Sequence, residues 1–270
     1  MASETRPRPP AGVLPRRVLT RLRSAWNGQS NDPSAAGHNF EDSLDEADRA
    51  LIEKVRPYTL TSAERIMATL DSVDYIVRRG LPGALVECGV WRGGSVLTMI
   101  MGLQRHNVTD RDVYLYDTFE GMTAPSDLDT SAFEDPAITT WSRASAAGQR
   151  AWDYFFAADV FGLDQVRELV LSTGYPPERV HFGVGSVEET LPAQAPDEVA
   201  LLRLDTDFYD STRHELVHLY PRLVTGGVLI VDDYGHWDGC RRAVDDYFRD
   251  SAPVPLLSRI DYTGRTAVKH

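Results

Sequence analysis

Two mainly apolar runs that each end in carboxylates constrain the fold of this chain more than any other feature of its 270 residues. Residues 199–204 lead into Asp205, and residues 228–231 lead into the adjacent pair Asp232 and Asp233. Runs that are apolar on both faces are typical of parallel strands with helices on both sides of the sheet. Ligands bind where the carboxyl ends of such strands meet. Because acids crowded there repel one another, the pattern requires a hard cation or a proton, and a divalent ion such as Mg²⁺ is the natural candidate.

The remaining elements alternate in the order expected of an α/β protein with a doubly wound, mainly parallel sheet. A capping box from Thr61 to Glu64 opens an amphipathic helix that continues at helical spacing to Gly80. The other predicted elements are strands over 84–88, 113–117, 180–184, 200–205 and 228–232, a helix over 95–104, and a terminal antiparallel hairpin over 255–269 that turns at Thr263 and Gly264.

The net charge of −12 is unevenly distributed. Residues 1–40 carry six arginines and two acids, so the remainder carries about −16 and is a poor binder of nucleic acid. This Arg-, Pro- and Ser-rich stretch has too few apolar residues for a core, and we expect a flexible basic arm before a single domain over 41–270. The two cysteines, and the lack of a signal-peptide pattern or an apolar run of about 18 residues, predict a soluble cytoplasmic protein without a membrane partner. We expect it to be a homo-oligomer.

A glycine-bearing turn follows the first predicted strand, between Glu87 and Ser95. Gly89 and Gly93 permit positive φ and let a ligand approach the backbone closely, although an ordinary tight turn uses glycine in the same way. Asp117, at the end of the second strand, adds a carboxylate that can accept hydrogen bonds from both hydroxyls of a ribose. Together they favour an adenosyl ligand. Because the turn lacks a lysine for phosphates, we expect a ligand with a cationic centre and a free ammonium group, which Glu87 would meet.

Four segments together resemble the macrocin and mycinamicin sugar O-methyltransferases, namely 86–95, 116–121, 204–207 and 231–234. The similarity runs from about Pro57 to the C-terminus. The resemblance implies the Rossmann-like fold of class I methyltransferases, with S-adenosylmethionine and Mg²⁺ as cofactors. It also implies methylation of a deoxysugar hydroxyl of an antibiotic, so the expected partner is a glycosylated small molecule.

The same resemblance implies roles for individual residues. Asp205, Asp232 and Asp233 correspond to the metal ligands, and Asp205 also to the general base. A divalent ion lowers the pKa of a hydroxyl that it coordinates, and a carboxylate within reach can then remove the proton. The predicted cofactor contacts, from the turn and the resemblance together, are Thr61, Glu87, Gly89, Gly93, Ser95, Asp117 and Ser186.

Neighbouring polar residues have other interpretations. Asp207 and Asp210 suit the capping of a helix that begins near Ser211. His236, in the loop after Asp233, is a rival base because the ordinary pKa of histidine is about 6.5.

The segment from His214 to His218 matches the H-E-x-x-H pattern of zinc proteases, a function from another chemical class. At about 100° per residue, both histidines fall opposite the apolar arc of their helix, and no third ligand is evident. We interpret them as a surface pair. Two further functions stay open: O-methylation of a catechol or phenol, and cofactor binding without catalysis.

Residues 122–156 are expected to form a lid-like insertion over a bulky, largely apolar acceptor. The same aromatic side chains also suit the core of an inserted helix. They are Phe133, Trp141, Trp152, Tyr154, Phe155 and Phe156. We interpret Trp91, in the glycine turn, as a packing residue.

Overall fold

The computed structural model describes residues 39–157, 161–251 and 253–270, so nearly all of the predicted arm lies outside the described residues. The strands are β1 (Ala84–Cys88), β2 (Val113–Asp117), β3 (Val180–Val184), β4 (Val199–Leu204), β5 (Leu223–Val231), β6 (Ser258–Arg259) and β7 (Arg265–Val268). The α-helices are α1 (Glu46–Val55), α2 (Ala63–Arg79), α3 (Gly94–Arg105), α4 (Ala137–Ala146), α5 (Leu163–Leu171), α6 (Val187–Thr190), α7 (Tyr209–Leu219) and α8 (Asp238–Ser251). Among the described residues, no helix combines the length and apolarity needed to cross a membrane.

The strands form one sheet in the order β3-β2-β1-β4-β5-β7-β6. The first five strands of that order pair in parallel, whereas β7 is antiparallel to both of its neighbours. The loop between β6 and β7 closes where the Ile260 N–H donates to the Gly264 carbonyl at 3.0 Å. The mainly parallel sheet with a C-terminal antiparallel hairpin, predicted from the sequence, is therefore confirmed.

Helices cover both faces of the sheet. Successive side chains of a strand point to opposite faces, and in β1 Leu85 packs in a cluster with Ile100 of α3, whereas Val86 packs in a cluster with Leu216 of α7. Burying one such side chain stabilises the fold by about 1.5–3 kcal/mol, so helices on both faces of a strand add to its stability. This double coverage explains why the strand sequences are apolar at consecutive positions.

The connections change face between β1 and β4, which leaves a crevice beyond their carboxyl ends. The Asp205 N–H donates to the Cys88 carbonyl at 2.8 Å, and the Asp232 N–H donates to the Leu204 carbonyl at 2.9 Å. The ends of β1, β4 and β5 therefore lie side by side. This adjacency brings the glycine turn and both acidic segments to one edge of the sheet.

Two predicted helix starts are wrong by one or two residues. Ser62, rather than Thr61, caps α2, and its side chain accepts from the backbone N–H three residues further on. The hydroxyl of Thr61 instead pairs with that of Thr59 at 2.9 Å. Helix α7 begins at Tyr209, before the predicted start near Ser211.

Candidate active site

The glycine turn after β1 lies directly against the acidic loop after β4. Gly89 has a φ of 81°, and a Cβ placed on it would lie 1.9 Å from the carbonyl oxygen of Asp205. Both the conformation and the lack of space therefore require glycine. Gly93, with a φ of 86°, is the N-cap of α3, so the turn ends at the N-terminus of a helix.

Two other predicted cofactor contacts are near this helix start. A Cβ placed on Gly94 would lie 2.6 Å from the Thr59 Cβ, so the segment before α2 passes closely over the start of α3. Thr61 belongs to that segment and is half-buried, and Ser95 is buried in the first turn of α3.

Asp117 holds the glycine turn in its conformation. Its Oδ2 accepts from the Val90 N–H at 2.7 Å and from the Trp91 N–H at 3.0 Å, and its Oδ1 accepts from the N–H two residues further on. Burial raises the pKa of Asp117, and these backbone hydrogen bonds oppose that rise. The Gly185 N–H donates to the Asp117 carbonyl at 3.0 Å, which places Ser186 beside the end of β2. The hydroxyls of a ribose at this position would donate to Asp117 oxygens that already accept from backbone N–H groups of the turn.

Asp205, Asp232 and Asp233 come together as the sequence pattern predicts. Each offers one carboxylate oxygen, and these oxygens lie within 4.8 Å of one another. Oδ2 of Asp233 is buried and has no hydrogen-bond partner among the residues that the structure describes. The side chain of Asp205 retains 26% of its surface exposed, so a ligand can reach it. A set of carboxylate oxygens with one buried oxygen lacking a partner fits a divalent cation such as Mg²⁺.

Sequence reasoning missed Arg203, which provides a positive charge in the middle of these acids. Its side chain is 1% exposed and faces Glu87 on the neighbouring strand, with which it is in register. Nη1 donates to Glu87 Oε1 at 2.5 Å and to Asp205 Oδ2 at 2.6 Å, and Nη2 donates to Asp232 Oδ1. One guanidinium therefore joins the cofactor side of the crevice to the acidic side. The signal was a single arginine in an otherwise apolar strand, because a buried charge requires partners.

A second buried arginine, Arg65 of α2, was also missed. It donates to Asp232 Oδ2 and, from Nε, to Asp261 Oδ2 at 2.9 Å. Ser62 donates to the same Asp261 oxygen at 2.8 Å, so the C-terminal hairpin is tied to the start of α2. Besides the cation or proton that the sequence pattern calls for, the chain itself supplies two guanidinium groups to these acids.

The ionisation of the acids reflects burial opposed by these arginines. Burial raises the pKa of Glu87 to about 7, although the Arg203 charge opposes the rise. Burial also raises the pKa of Asp205 well above its ordinary value, again against Arg203. For Asp233, burial and then the charge of Asp207 raise the pKa well above the ordinary value. Carboxyl groups of this kind bind protons more tightly than exposed ones, which suits a general base.

The predicted capping role of Asp207 is wrong. The N-cap of α7 is Phe208, and the Tyr209 N–H at the start of the helix is satisfied by Asp129 Oδ1 at 2.8 Å. Asp207 instead accepts from Trp237 Nε1 at 2.9 Å, with a φ of 68°. The acceptor that caps this helix comes from the insertion, which local sequence spacing does not reveal.

Asp210 and His236, the rival base, also lie outside the acidic cluster. Asp210 is exposed in the first turn of α7 and does not cap it. His236 lies with Nε2 2.8 Å from Glu134 Oε1 and Nδ1 3.1 Å from the Tyr262 hydroxyl. Both ring nitrogens of His236 are therefore engaged in this structure.

The residues of the H-E-x-x-H motif do not form a metal site among the described residues. The rings of His214 and His218 lie 4.3 Å apart, and both are partly exposed. In the part of the chain that the structure describes, the one cluster with metal-ligand geometry is that of Asp205, Asp232 and Asp233. The motif therefore lacks the third ligand of a catalytic zinc site.

The insertion over 122–156 contacts both halves of the crevice. Asp129, which is buried, reaches the start of α7 through the Tyr209 N–H. At the opposite side, Trp91 Nε1 donates to the Phe155 carbonyl at 2.8 Å. Trp91 thus links the glycine turn to the insertion.

The aromatic side chains of the insertion divide into packed and exposed groups. Phe133 is 61% exposed and stacks on His236, with ring centroids 5.3 Å apart. Tyr154 is also exposed, whereas Trp141 is half-buried. Trp152 packs 6.0 Å from Phe208. The insertion therefore combines core packing with an exposed aromatic surface.

Comparison with solved structures identifies the class of protein that this fold and crevice define. The structure of the O-methyltransferase NovP aligns with a TM-score of 0.64 and 31% identity, over 78% of this chain and 82% of NovP. The fold is thus that of an O-methyltransferase.

The model of the macrocin-O-methyltransferase (TylF) family matches residues 15–267, and the chain therefore belongs to that family. It is 36% identical, over 77% of this chain and 74% of the relative, to the 8-demethyl-8-(2,3-dimethoxy-alpha-L-rhamnosyl)-tetracenomycin-C 4'-O-methyltransferase of Streptomyces olivaceus. It is also 32% identical, over 70% of each chain, to the mycinamicin III 3''-O-methyltransferase of Micromonospora griseorubida. The resemblance found in the sequence motifs is confirmed.

Proposed function

We propose that this O-methyltransferase uses S-adenosylmethionine and Mg²⁺ to methylate a deoxysugar hydroxyl of a glycosylated natural product. The observation that carries the proposal is the convergence of three carboxylates, within 4.8 Å of one another, beside the glycine turn. The name of one relative specifies 4'-O-methylation of a rhamnosyl-tetracenomycin, which supports a glycosylated acceptor.

On the cofactor side, the residues around the turn would bind the methyl donor. Oε2 of Glu87 is buried and has no hydrogen-bond partner among the described residues, so it is placed to accept from the ammonium group. Gly89 and Gly93 keep the backbone accessible, and Asp117 would accept from the ribose hydroxyls. Thr61, Ser95 and Ser186 complete the proposed contacts.

On the acceptor side, Asp205, Asp232 and Asp233 would hold the ion, which when bound lowers the pKa of an adjacent hydroxyl and orients it. Asp205 would take the hydroxyl proton as the oxygen attacks the methyl group. Arg203 donates to Oδ2 of Asp205 and would hold this carboxylate in place for both roles. Burial raises the pKa of Asp205 against the charge of Arg203, so its carboxylate binds a proton more tightly than an exposed one does.

Around these groups, we propose one domain over 41–270 in which residues 122–156 act as a lid. Its contacts with Tyr209 on the acceptor side and with Trp91 on the cofactor side would close the crevice from above. A closed crevice excludes water and strengthens the electrostatic interactions inside it.

The test uses the full chain with labelled S-adenosylmethionine, Mg²⁺ or a chelator, and three kinds of acceptor: glycosylated polyketides, their aglycones, and a catechol. We expect methylation of a glycoside alone, and its loss with the chelator. Asp205→Asn should reduce kcat by about 100-fold or more. Asp210→Asn, on the exposed start of α7, is the matched control and should retain wild-type rates.

Each arm of the experiment can overturn a part of the proposal. Methylation that persists in the chelator contradicts the metal. Labelling of the aglycone or the catechol at the rate of the glycoside contradicts a sugar acceptor. An Asp205→Asn variant as active as Asp210→Asn contradicts the assignment of the base.

A further inference from the structure

The glutamate of the H-E-x-x-H motif points away from its two histidines and into the protein. Glu215 is fully buried in α7, whereas His214 and His218 are partly exposed. A buried carboxyl group is costly unless its hydrogen bonds compensate for lost water. Its partners therefore indicate what the glutamate does.

The principal partner of Glu215 lies in the acidic loop after β4. Thr206 Oγ1 donates to Glu215 Oε1 at 2.9 Å, and Thr206 is the residue between Asp205 and Asp207. From the same helix, Ser211 Oγ donates to the Thr206 carbonyl at 3.2 Å. Helix α7 thus holds Thr206 by its side chain and by its backbone.

Two features of the acidic loop after β4 favour its displacement when the contacts with α7 are removed. Asp207 has a φ of 68°, a conformation that residues other than glycine rarely adopt. Asp205 also lies among like charges, since Asp232 and Asp233 belong to the same cluster. The backbone strain, and the part of the repulsion that Arg203 does not offset, favour displacement of the loop, and the contacts with α7 oppose it.

Glu215 also reaches the cofactor side of the crevice. Burial first, and then the charge of Glu215, raise the pKa of the Cys88 thiol well above its ordinary value. Cys88 precedes Gly89, and its carbonyl accepts from the Asp205 N–H at 2.8 Å.

We propose that Glu215, acting through Thr206, is a positioning residue that holds Asp205 in the geometry needed to bind the metal and to accept the proton. This inference rests on the proposed function, because it assigns a support to that metal site. It gives the H-E-x-x-H glutamate a role that needs no zinc.

The test measures binding of Mn²⁺ alone by electron paramagnetic resonance, and binding of S-adenosylhomocysteine by calorimetry, on the full chain. Thr206→Val keeps the shape and removes the donor, and Glu215→Leu removes the acceptor. We expect each to weaken Mn²⁺ binding by about 10-fold or more, the range found when supports of metal ligands are removed. Glu215→Gln retains an oxygen that accepts from Thr206 and should bind Mn²⁺ within about threefold of wild type. The double variant Thr206→Val with Glu215→Leu should be no worse than either single variant, because both remove one hydrogen bond.

Controls separate a positioning role from general damage. S-adenosylhomocysteine affinity should stay at the wild-type value in Thr206→Val and Glu215→Gln, and His218→Gln should leave both affinities unchanged. Mn²⁺ affinity equal to wild type in Thr206→Val overturns the inference, and this isosteric variant decides the matter even where Glu215→Leu does not fold. Equal losses of Mn²⁺ and S-adenosylhomocysteine affinity in Thr206→Val also overturn it. If the wild-type chain binds no Mn²⁺, the metal site of the proposed function fails, and the inference fails with it.

Discussion

Glu87→Gln should change the pH dependence of stability, because Glu87 is a buried acid whose partner only partly compensates its burial. The pKa of Glu87 rises from the ordinary 4.5 to about 7, with burial as the cause and Arg203 in opposition. The glutamine retains an Oε1 that accepts from Arg203 Nη1, a contact of 2.5 Å in the wild type. The substitution therefore removes the titration and keeps the hydrogen bond.

The sign follows from the protons bound in each state. Below the ordinary pKa, Glu87 is protonated in both the folded and the unfolded chain, and burial costs little. As pH rises between the two pKa values, the unfolded chain loses the proton that the folded chain keeps, so the free energy of unfolding falls. Between about pH 5 and about pH 8 this loss amounts to about 2.5 kcal/mol, from a pKa of 4.5 in the unfolded chain and about 7 in the folded chain.

Urea unfolding of wild type and Glu87→Gln, at several pH values and without cofactor or metal, measures this loss. The difference in stability should move in favour of Glu87→Gln by about 2.5 kcal/mol from about pH 5 to about pH 8. Glu53→Gln, at a position with 71% of the side chain exposed, is the control and should follow the wild-type curve. Parallel curves for wild type and Glu87→Gln would refute the reasoning that burial outweighs Arg203.

Three further substitutions test the site. Arg203→Met should lower the free energy of unfolding by about 3–5 kcal/mol, because it leaves buried carboxylates without their positive partner. The control Arg78→Met, at a side chain that is 74% exposed, should change the free energy of unfolding by less than about 0.5 kcal/mol. Equal effects in urea unfolding would contradict the shared-cation interpretation. Gly89→Ala should abolish S-adenosylhomocysteine binding in calorimetry, since its Cβ would lie 1.9 Å from the Asp205 carbonyl oxygen. Gly174→Ala, at a glycine with a φ of 74° and open space around it, is the control and should bind normally. Normal binding by Gly89→Ala would contradict the importance of the close approach. Asp129→Ala leaves the Tyr209 and Ser126 N–H groups without their acceptor and should cost about 1–3 kcal/mol for each donor that stays buried. It should raise the KM for the glycosylated acceptor more than that for S-adenosylmethionine, and a parallel rise of both would argue against the lid.

The sheet and the acidic cluster were predictable from the sequence because both depend on regular geometry. Consecutive apolar residues in 199–204 indicate a strand covered on both faces, and parallel strands deliver their carboxyl ends to one edge. Asp205 and Asp232 therefore had to come close once both strands were recognised. This inference required only that the strands leading into Asp205 and Asp232 be neighbours in the sheet.

The arginine network was not predicted because it depends on register and tertiary packing. Glu87 and Arg203 are 116 residues apart, and only the pairing of β1 with β4 places them opposite each other. Arg65 reaches Asp232 across 167 residues. Likewise, the capping rule for Asp207 failed because Asp129 supplies the acceptor from 80 residues earlier. The partners in each of these contacts are set by the fold as a whole, so even the isolated Arg203 in an apolar strand did not reveal which acids it meets.

The arginine network also explains how a crevice acidic enough to bind cationic ligands can remain folded without them. Its charged members are the acids Glu87, Asp205, Asp232, Asp233 and Asp261 and the bases Arg65 and Arg203. With every acid ionised, the negative charges outnumber the two positive ones, and the neighbouring Asp207 adds to the excess. Burial raises the pKa of Glu87, Asp205 and Asp233, so the chain relieves this excess by retaining protons. A divalent ion and the single net positive charge of the proposed methyl donor would together offset much of this excess, so their binding would displace protons. If Asp205 takes the acceptor proton as proposed, that proton would offset the positive charge that the donor loses when it gives up its methyl group. In the proposed reaction, general-base catalysis would therefore also maintain the charge balance of the crevice.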